Sequence, residues 1–230
     1  MSRDVATKRT YGEGCGIAHA LDLVGERWAL LVIRELLLGP KRFTDLRAGI
    51  PHVSPNVLSE RLRELDRVGV VARRKLGPPA SARVYELTEW GRELEPAVLA
   101  LGRWGARSPY LPTEAGMSTD SQVLALRTVF DSAAARGPNA SFELRLDGDR
   151  FRATVRDGRF EIARGEADDP DAVIEADQPS LAAVLWGGRR LVDAQRSGGV
   201  RVEGDAKAAE RFLGLFNPAR RTADPGRRAA

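Results

Sequence analysis

The stretch PHVSPNVLSERLRELDRVGVVARRK, residues 51–75, constrains the fold more than any other part of the chain. Ser54 is a good helix N-cap, and Pro55 behind it suits the first helical turn, where a missing N–H costs nothing. Leu58, Leu62 and Leu65 then recur at helical spacing and make one apolar stripe. Gly69 stops the helix, and Val70 and Val71 restart the chain as a strand. The opposite face carries Asn56, Ser59, Arg63 and Arg67. The exposed side of a short helix needs no such set of hydrogen-bonding groups for stability, so the set is a candidate for recognition.

The neighbouring segments place this helix in a larger pattern. CGIAHALDLV (15–24) and RWALLVIRELLL (27–38) read as helices, and the second is apolar nearly all round and should be central. Gly39-Pro40 ends it, and FTDLRAGI (43–50) makes a third, short helix. VVARRKL (70–76) and RVYELT (83–88) read as strands joined by the loop GPPASA. A long helix from about Glu89 to Arg107 follows, with Leu94, Val98, Leu101 and Trp104 at helical spacing. That stripe is longer than a small domain needs to cover, which predicts that a partner chain shares it. The order is that of a mainly-α winged helix-turn-helix, in which the second helix of the pair enters the major groove of DNA. The short connection from Pro51 to Ser54 suits the tight turn between the pair.

On this reading Asn56, Ser59 and Arg63 suit base edges or phosphate. Lys41, Arg42 and Arg47, near the preceding helix, suit phosphates. Ser54 acts through the backbone as cap, and a helix N-terminus itself attracts phosphate. Arg73, Arg74, Lys75 and Arg83 flank the wing, whose neutral tip is not expected to penetrate the minor groove. Charge distribution agrees: residues 1–110 hold 18 Lys/Arg against 13 Asp/Glu, a balance of +5, whereas residues 111–217 hold 14 against 18, a balance of −4. A basic part joined to an acidic part suggests two domains with different partners.

The run ALDLVGERWALLVIRELLLGPKRFTDLRAGIPHVSPNVLSERLRELDRVGVVARRK, followed by YELTEWGRELEP and LGRWG, resembles the HxlR family of bacterial winged-helix transcription regulators. The resemblance covers about residues 12–107. It implies homodimers that bind palindromic operators through the helix at 54–68, with dimer contacts from the N-terminal segment and the helix at 89–107. The expected organisation is a DNA-binding and dimerisation domain over 1–110, a linker at 111–119, a second domain over 120–217 and a flexible basic tail at 218–230.

The second half has a different rhythm. Thr119 and Gln122 have capping-box spacing, and Val123, Leu126 and Phe130 follow on one helical face. SFELRLDGDRFRATVRDGRFEIA (141–163) alternates strictly, with Asp147-Gly148 and Asp157-Gly158 as strong hairpin turns. AVIEA (172–176) and VRVEG (200–204) are further strands, while SLAAVLWGG, RLVDAQR and AKAAERFLGLF read as helices. The expected architecture is α+β, an antiparallel sheet with helices on one side. These hairpins, with VIEADQPSLAAVLWGG and GGVRVEGDAKAAERFLGLF, resemble the sterol-carrier-protein-2 (SCP2-like) family over about 120–217. The resemblance implies a hydrophobic cavity for a lipid-like ligand. Phe142, Leu144, Phe151, Val155, Phe160 and Ile162 on the sheet, with Leu185, Trp186, Phe212 and Phe216 on helices, are its candidate lining.

Other chemistry finds little support. No apolar run approaches the roughly 18–20 residues that span a bilayer, and no secretory h-region follows the N-terminus. The single cysteine, Cys15, excludes an intramolecular disulfide and fits a reducing, cytoplasmic compartment. His19 and His52 are too few and too isolated for a metal site. No Ser–His–Asp spacing or Gly-rich phosphate loop stands out, so neither a cofactor nor an enzyme activity is expected. Glu60 and Glu64 with Arg61 and Arg63 read as surface ion pairs. Cys15 sits at a helix start, where HxlR-like regulators often carry a cysteine that in some of them senses oxidants or electrophiles; the alternative is a small residue buried in a dimer contact. The resulting expectation is a homodimeric DNA-binding repressor, controlled by an apolar ligand in the second domain. A thiol-based regulator using Cys15, or a lipid carrier whose first half only dimerises, are its rivals.

Overall fold

In the computed structural model, which describes residues 10–77, 82–112 and 115–216, the chain divides into two units between Val98 and Leu99. In the first, α1 (Gly16–Val24) leads to α2 (Ala29–Leu36) through Trp28, whose φ of 78° is left-handed. That kink delays the start of α2 by two residues relative to the apolar run, 27–38. Val32, Ile33 and Leu36 on α2 are buried at the centre of the unit, as the all-round apolar pattern required. α3 (Phe43–Gly49) and α4 (Pro55–Arg67) form the expected pair. In the turn between them His52 takes a φ of 66°, a conformation His tolerates better than a β-branched residue does.

Ser54 caps α4 as expected, its Oγ accepting from the Val57 N–H at 3.3 Å. Leu58, Leu62 and Leu65 are fully buried and join Leu46, Ile50 and the α2 residues in one core. Each buried leucine contributes about 1.5–3 kcal/mol, enough to fix the rotation of α4 about its axis. β1 (Val71–Lys75) and β2 (Arg83–Leu87) pair antiparallel, with Arg73 opposite Tyr85. Lys41 exchanges two backbone hydrogen bonds with Tyr85, at 2.9 and 2.8 Å, and so ties the start of α3 to the wing. Residues 78–81 of the wing tip lie outside the described residues, as do the tail at 218–230 and residues 113–114 of the linker.

The single long helix expected over 89–107 is instead two, α5 (Glu89–Arg92) and α6 (Glu95–Gly105). Pro96 is the reason: it has no N–H to offer the Arg92 carbonyl, and its ring clashes there, so the helix stops and restarts with Pro96 in its first turn. Leu94 and Val98 pack on the core of the first unit. Leu101 and Trp104 do not; they are 49% and 69% exposed.

The second unit opens with α7 (Thr119–Val129), capped by Ser118 rather than Thr119: Ser118 Oγ accepts from the Ser121 N–H at 3.0 Å. Gln122 is therefore no capping-box partner, and its Nε2 donates to the Gln178 carbonyl. β3 (Ala140–Leu146), β4 (Asp149–Arg156) and β5 (Arg159–Arg164) are joined by the two Asp-Gly turns, each with positive φ at both residues, as primed hairpin turns demand. β6 (Ala172–Ala176), α8 (Gln178–Leu185), α9 (Leu191–Arg196), β7 (Val200–Gly204) and α10 (Ala206–Gly214) complete the unit.

Strand order is β5-β4-β3-β6-β7. The sheet is mixed rather than antiparallel, because β6 runs parallel to β3. Residues 165–171 return the chain from the end of β5 to the start of β6, crossing the polar face of the sheet, where the Ala167 N–H meets Glu143. Phe142, Leu144, Phe151, Ala153, Val155, Ile162 and Ile174 are buried on the opposite, apolar face. The Phe142 ring stacks on Phe212 of α10 at 4.2 Å, so α10 covers that face.

Candidate nucleic-acid interface

The outward face of α4 is built by the same spacing that buries its leucines. Asn56, Arg63 and Arg67 are exposed and Ser59 half-buried, all on the side away from Leu58, Leu62 and Leu65. Arg63 Nε donates to the Ser59 carbonyl at 3.3 Å, and the residue remains exposed. Arg42 and Arg47 bracket α3, both exposed and without an ion pair among the described residues. The helix and its cap form as the sequence predicts, with Arg42 and Arg47 exposed beside α3.

Lys41 differs. Its ammonium lies 2.7 Å from Glu35 Oε2, and only 13% of its side chain is exposed. It is a structural cation here, not an open phosphate contact. Glu35 is fully buried on α2 and also accepts from Arg34 at 2.8 Å, while Arg34 donates to the Gly49 carbonyl at 3.2 Å. A Cβ on Gly49 would stand 2.1 Å from Glu35 Oε2, so the carboxylate packs directly on the last turn of α3. Glu35 therefore clamps both ends of α3. Spacing alone does not single it out as polar and buried, although its place three residues after the buried Val32 puts it on the apolar side of α2.

Arg61 is also not a surface group. It is 8% exposed, bonded to Glu64 and 3.8 Å from Glu26, and it joins α4 to the turn before α2. On the wing, Arg74 pairs with Glu86 at 3.0 Å, and Arg73 approaches Asp66 at 3.7 Å and lies over the Tyr85 ring. Lys75 and Arg83, directly opposite each other in the register, are exposed and unpaired among the described residues. The wing thus offers two open cations and two committed ones.

Residues 23–114 match the HxlR-like helix-turn-helix family. The HTH-type transcriptional regulator YdeP of Bacillus subtilis is 39% identical over 97 residues, which cover 41% of this chain and 74% of YdeP. The chain belongs to the HxlR-like helix-turn-helix family. A second HxlR-like relative, the HTH-type transcriptional regulator Rv3095 of Mycobacterium tuberculosis, is 42% identical over 106 residues, 45% of this chain and 64% of that one. Among solved structures, the redox regulator HypR in its oxidized form is similar at 33% identity, covering 42% of this chain and 100% of that one, with a TM-score of 0.40. The second half of this HxlR-like chain, residues 115–222, matches the Alkyl sulfatase C-terminal family.

Two other sets of candidate residues stand on other elements. Cys15 is exposed at the N-cap of α1. The N–H groups of Ala18 and then Ile17 face its sulfur and hold the thiol below its ordinary pKa, against a small opposing effect of burial. In the second unit, the structure brings the proposed ligand-lining residues together as a packed cluster. Phe142, Leu144, Phe151, Val155, Ile162, Leu185, Phe212 and Phe216 are buried, with Phe160 and Trp186 half-buried. Phe160 meets Phe216 at 4.9 Å and Phe212 meets Phe216 at 5.0 Å, so the rings fill the space between sheet and α10 with one another. Among the described residues no group of His, Cys, Asp or Glu could hold a metal ion, and no helix is long and apolar enough to cross a membrane.

Proposed function

We propose that the chain is a homodimeric transcriptional repressor whose two α4 helices enter successive major grooves of an operator, roughly 34 Å apart. The observation that carries this reading is the outward face of α4: Asn56, Ser59, Arg63 and Arg67 aligned on a capped helix whose rotation three buried leucines fix. Membership in a family whose relatives are named transcriptional regulators supports it over a lipid carrier or an enzyme. Asn56, Ser59 and Arg63 address bases, while Ser54, Arg42, Arg47, Lys75 and Arg83 address phosphates. Lys41, Arg73 and Arg74 contribute only by exchanging their present partners. Dimerisation is supported by apolar side chains left in solvent, Ile17 (74% exposed) and Leu21 on α1 and Leu101 and Trp104 on α6.

A gel shift with duplexes from the protein's own promoter tests the reading. Asn56→Ala or Arg63→Ala should cost about 1–3 kcal/mol on the operator and little on unrelated DNA. Arg42→Ala should weaken both and flatten the salt dependence. Unchanged operator affinity in all three variants refutes the assignment of α4.

For the signal, the exposed and thiolate-favoured Cys15 supports control by electrophiles that alkylate it. Its depressed pKa puts the onset of thiolate reactivity at lower pH than for an ordinary cysteine, and iodoacetamide labelling against pH measures that. Control by an apolar ligand in an SCP2-like second domain requires the stacked phenylalanines to move apart, and a fatty acid that does this should raise the melting temperature.

A further inference from the structure

The five-stranded sheet has two edge strands, β5 and β7, and an open edge offers unpaired N–H and C=O groups to another strand. The β5 edge is taken by α7. One pair beyond the β4–β5 ladder, the Gly165 N–H donates to the Arg150 carbonyl opposite it, so by antiparallel alternation the Ile162 carbonyl points away from β4. There it accepts from the Arg127 guanidinium of α7, and Arg164, two residues on, pairs with Asp120 of the same helix.

The β7 edge has no such cover. β7 pairs with β6 on one side, and among the described residues no other hydrogen bond reaches the backbone of residues 200–204. Val200 is buried, whereas Val202, on the same apolar face opposite Ile174, is only half-buried. Arg201 and Glu203 alternate with them on the polar face and are exposed. Arg201 reaches Glu175 only at 3.5 Å, and Glu203 has no ion pair among the described residues. Charges of one sign on an edge strand keep copies apart, but here the two signs stand on either side of a valine.

We infer that β7 pairs antiparallel with β7 of a second copy about a two-fold axis at Val202, so that the two sheets become one. The side chains select this register. A two-fold axis keeps both apolar faces on one side only when it passes through a residue rather than between two. An axis at Arg201 sets two arginines opposite each other, and one at Glu203 sets two glutamates, both destabilising. An axis at Val202 sets Arg201 opposite Glu203 twice, and it alone pairs all five residues of β7. Arg145, Glu175 and Arg201 are register neighbours across β3, β6 and β7, so Glu203 of the second copy continues a row of alternating sign. The half-exposed Val202 meets its own copy there. A second copy is the occupant that charge complementarity selects, because this edge, basic then acidic about a valine, is its own complement when reversed. The contact is separate from the exposed side chains of α1 and α6 and does not depend on them.

The test is disulfide trapping in the full chain, with Cys15→Ser removing the one native thiol. Val202→Cys puts a thiol on the axis, where directly opposite residues lie about 4.5–5.5 Å apart at Cα, within disulfide reach. In a glutathione redox buffer it should give a covalent dimer, read on a non-reducing gel across a concentration series. Arg201→Cys alone stands diagonal to its own copy, roughly 7–8 Å away, and should not. Its mixture with Glu203→Cys should, because those two positions face each other. Adding Arg201→Glu to the Val202→Cys chain should slow trapping on the order of tenfold, and adding Glu203→Arg as well should restore it with the signs exchanged. Both side chains are exposed, so each variant should melt close to the wild type. Trapping of Val202→Cys no faster than that of Arg201→Cys overturns the proposal. Trapping unaffected by Arg201→Glu, or not restored by the double reversal, overturns it too.

Discussion

α4 and β4 are both half-buried elements whose outward positions carry arginine and hydroxyl or amide groups, yet their polar faces are organised differently. On α4 the face belongs to one rod: Asn56, Ser59, Arg63 and Arg67 are placed by helical spacing alone, and Ser54 and three leucines set the rod's position. On β4 the face depends on both neighbours. Arg150 has its charge answered by Glu166 on the crossing segment, whereas Arg156 faces another arginine and has no ion pair among the described residues. A helix displays a recognition surface that spacing reveals. The outward charges of a central strand can be paired off only once its register is known.

The largest effects should come from the cores beneath the two faces. Phe151→Ala removes a fully buried ring beneath β4 and should cost about 3–5 kcal/mol. Leu62→Ala beneath α4 should cost about 2–5 kcal/mol. Calorimetry should show the first change in the transition of the C-terminal unit and the second in that of the N-terminal unit. A common shift of one transition by either variant would break the treatment of the two faces as independently supported.

Glu35→Ala comes next. It leaves Arg34 and Lys41 partly buried beside an empty position, and breaking such a pair costs about 3–5 kcal/mol at most, reduced here by the exposure of Arg34. Because Glu35 holds both ends of α3, the folded fraction should also bind DNA less well through Arg42 and Arg47. Wild-type affinity per folded molecule would reduce Glu35 to a stability role. Ser54→Ala is the smallest: loss of the cap should cost about 1 kcal/mol, read as a lower denaturant midpoint at unchanged slope. No change would mean that Pro55 and the leucines alone set where α4 begins.

What was legible in the sequence follows the same division. The α4 cap, its leucine stripe and the two Asp-Gly turns are local chemistry, and each stands where spacing put it. Pro96 was also legible, but the apolar period over Leu94 to Trp104 runs through it and masks the break. Ser118 and Thr119 are adjacent caps of similar quality, and spacing to Gln122 favoured the wrong one. The parallel placement of β6 was not legible, because residues 165–171 have the composition of any turn. Nor were the Lys41–Glu35 pair and the approach of Arg61 to Glu26, since an ion pair between separate elements leaves no spacing along the chain; the Arg61–Glu64 pair, three residues apart on α4, was.

If α4 reads base edges, a base-substitution scan of the operator will show it. Affinities of the wild type and of Asn56→Ala are measured against the same set of duplexes, each changed at one base pair. The wild type should lose about 1–3 kcal/mol at the contacted positions, grouped in two half-sites about 10–10.5 bp apart or at a multiple of that spacing. Asn56→Ala should become indifferent at one symmetry-related pair of positions while keeping its preferences elsewhere. An identical profile for both proteins, merely scaled in affinity, would contradict the claim.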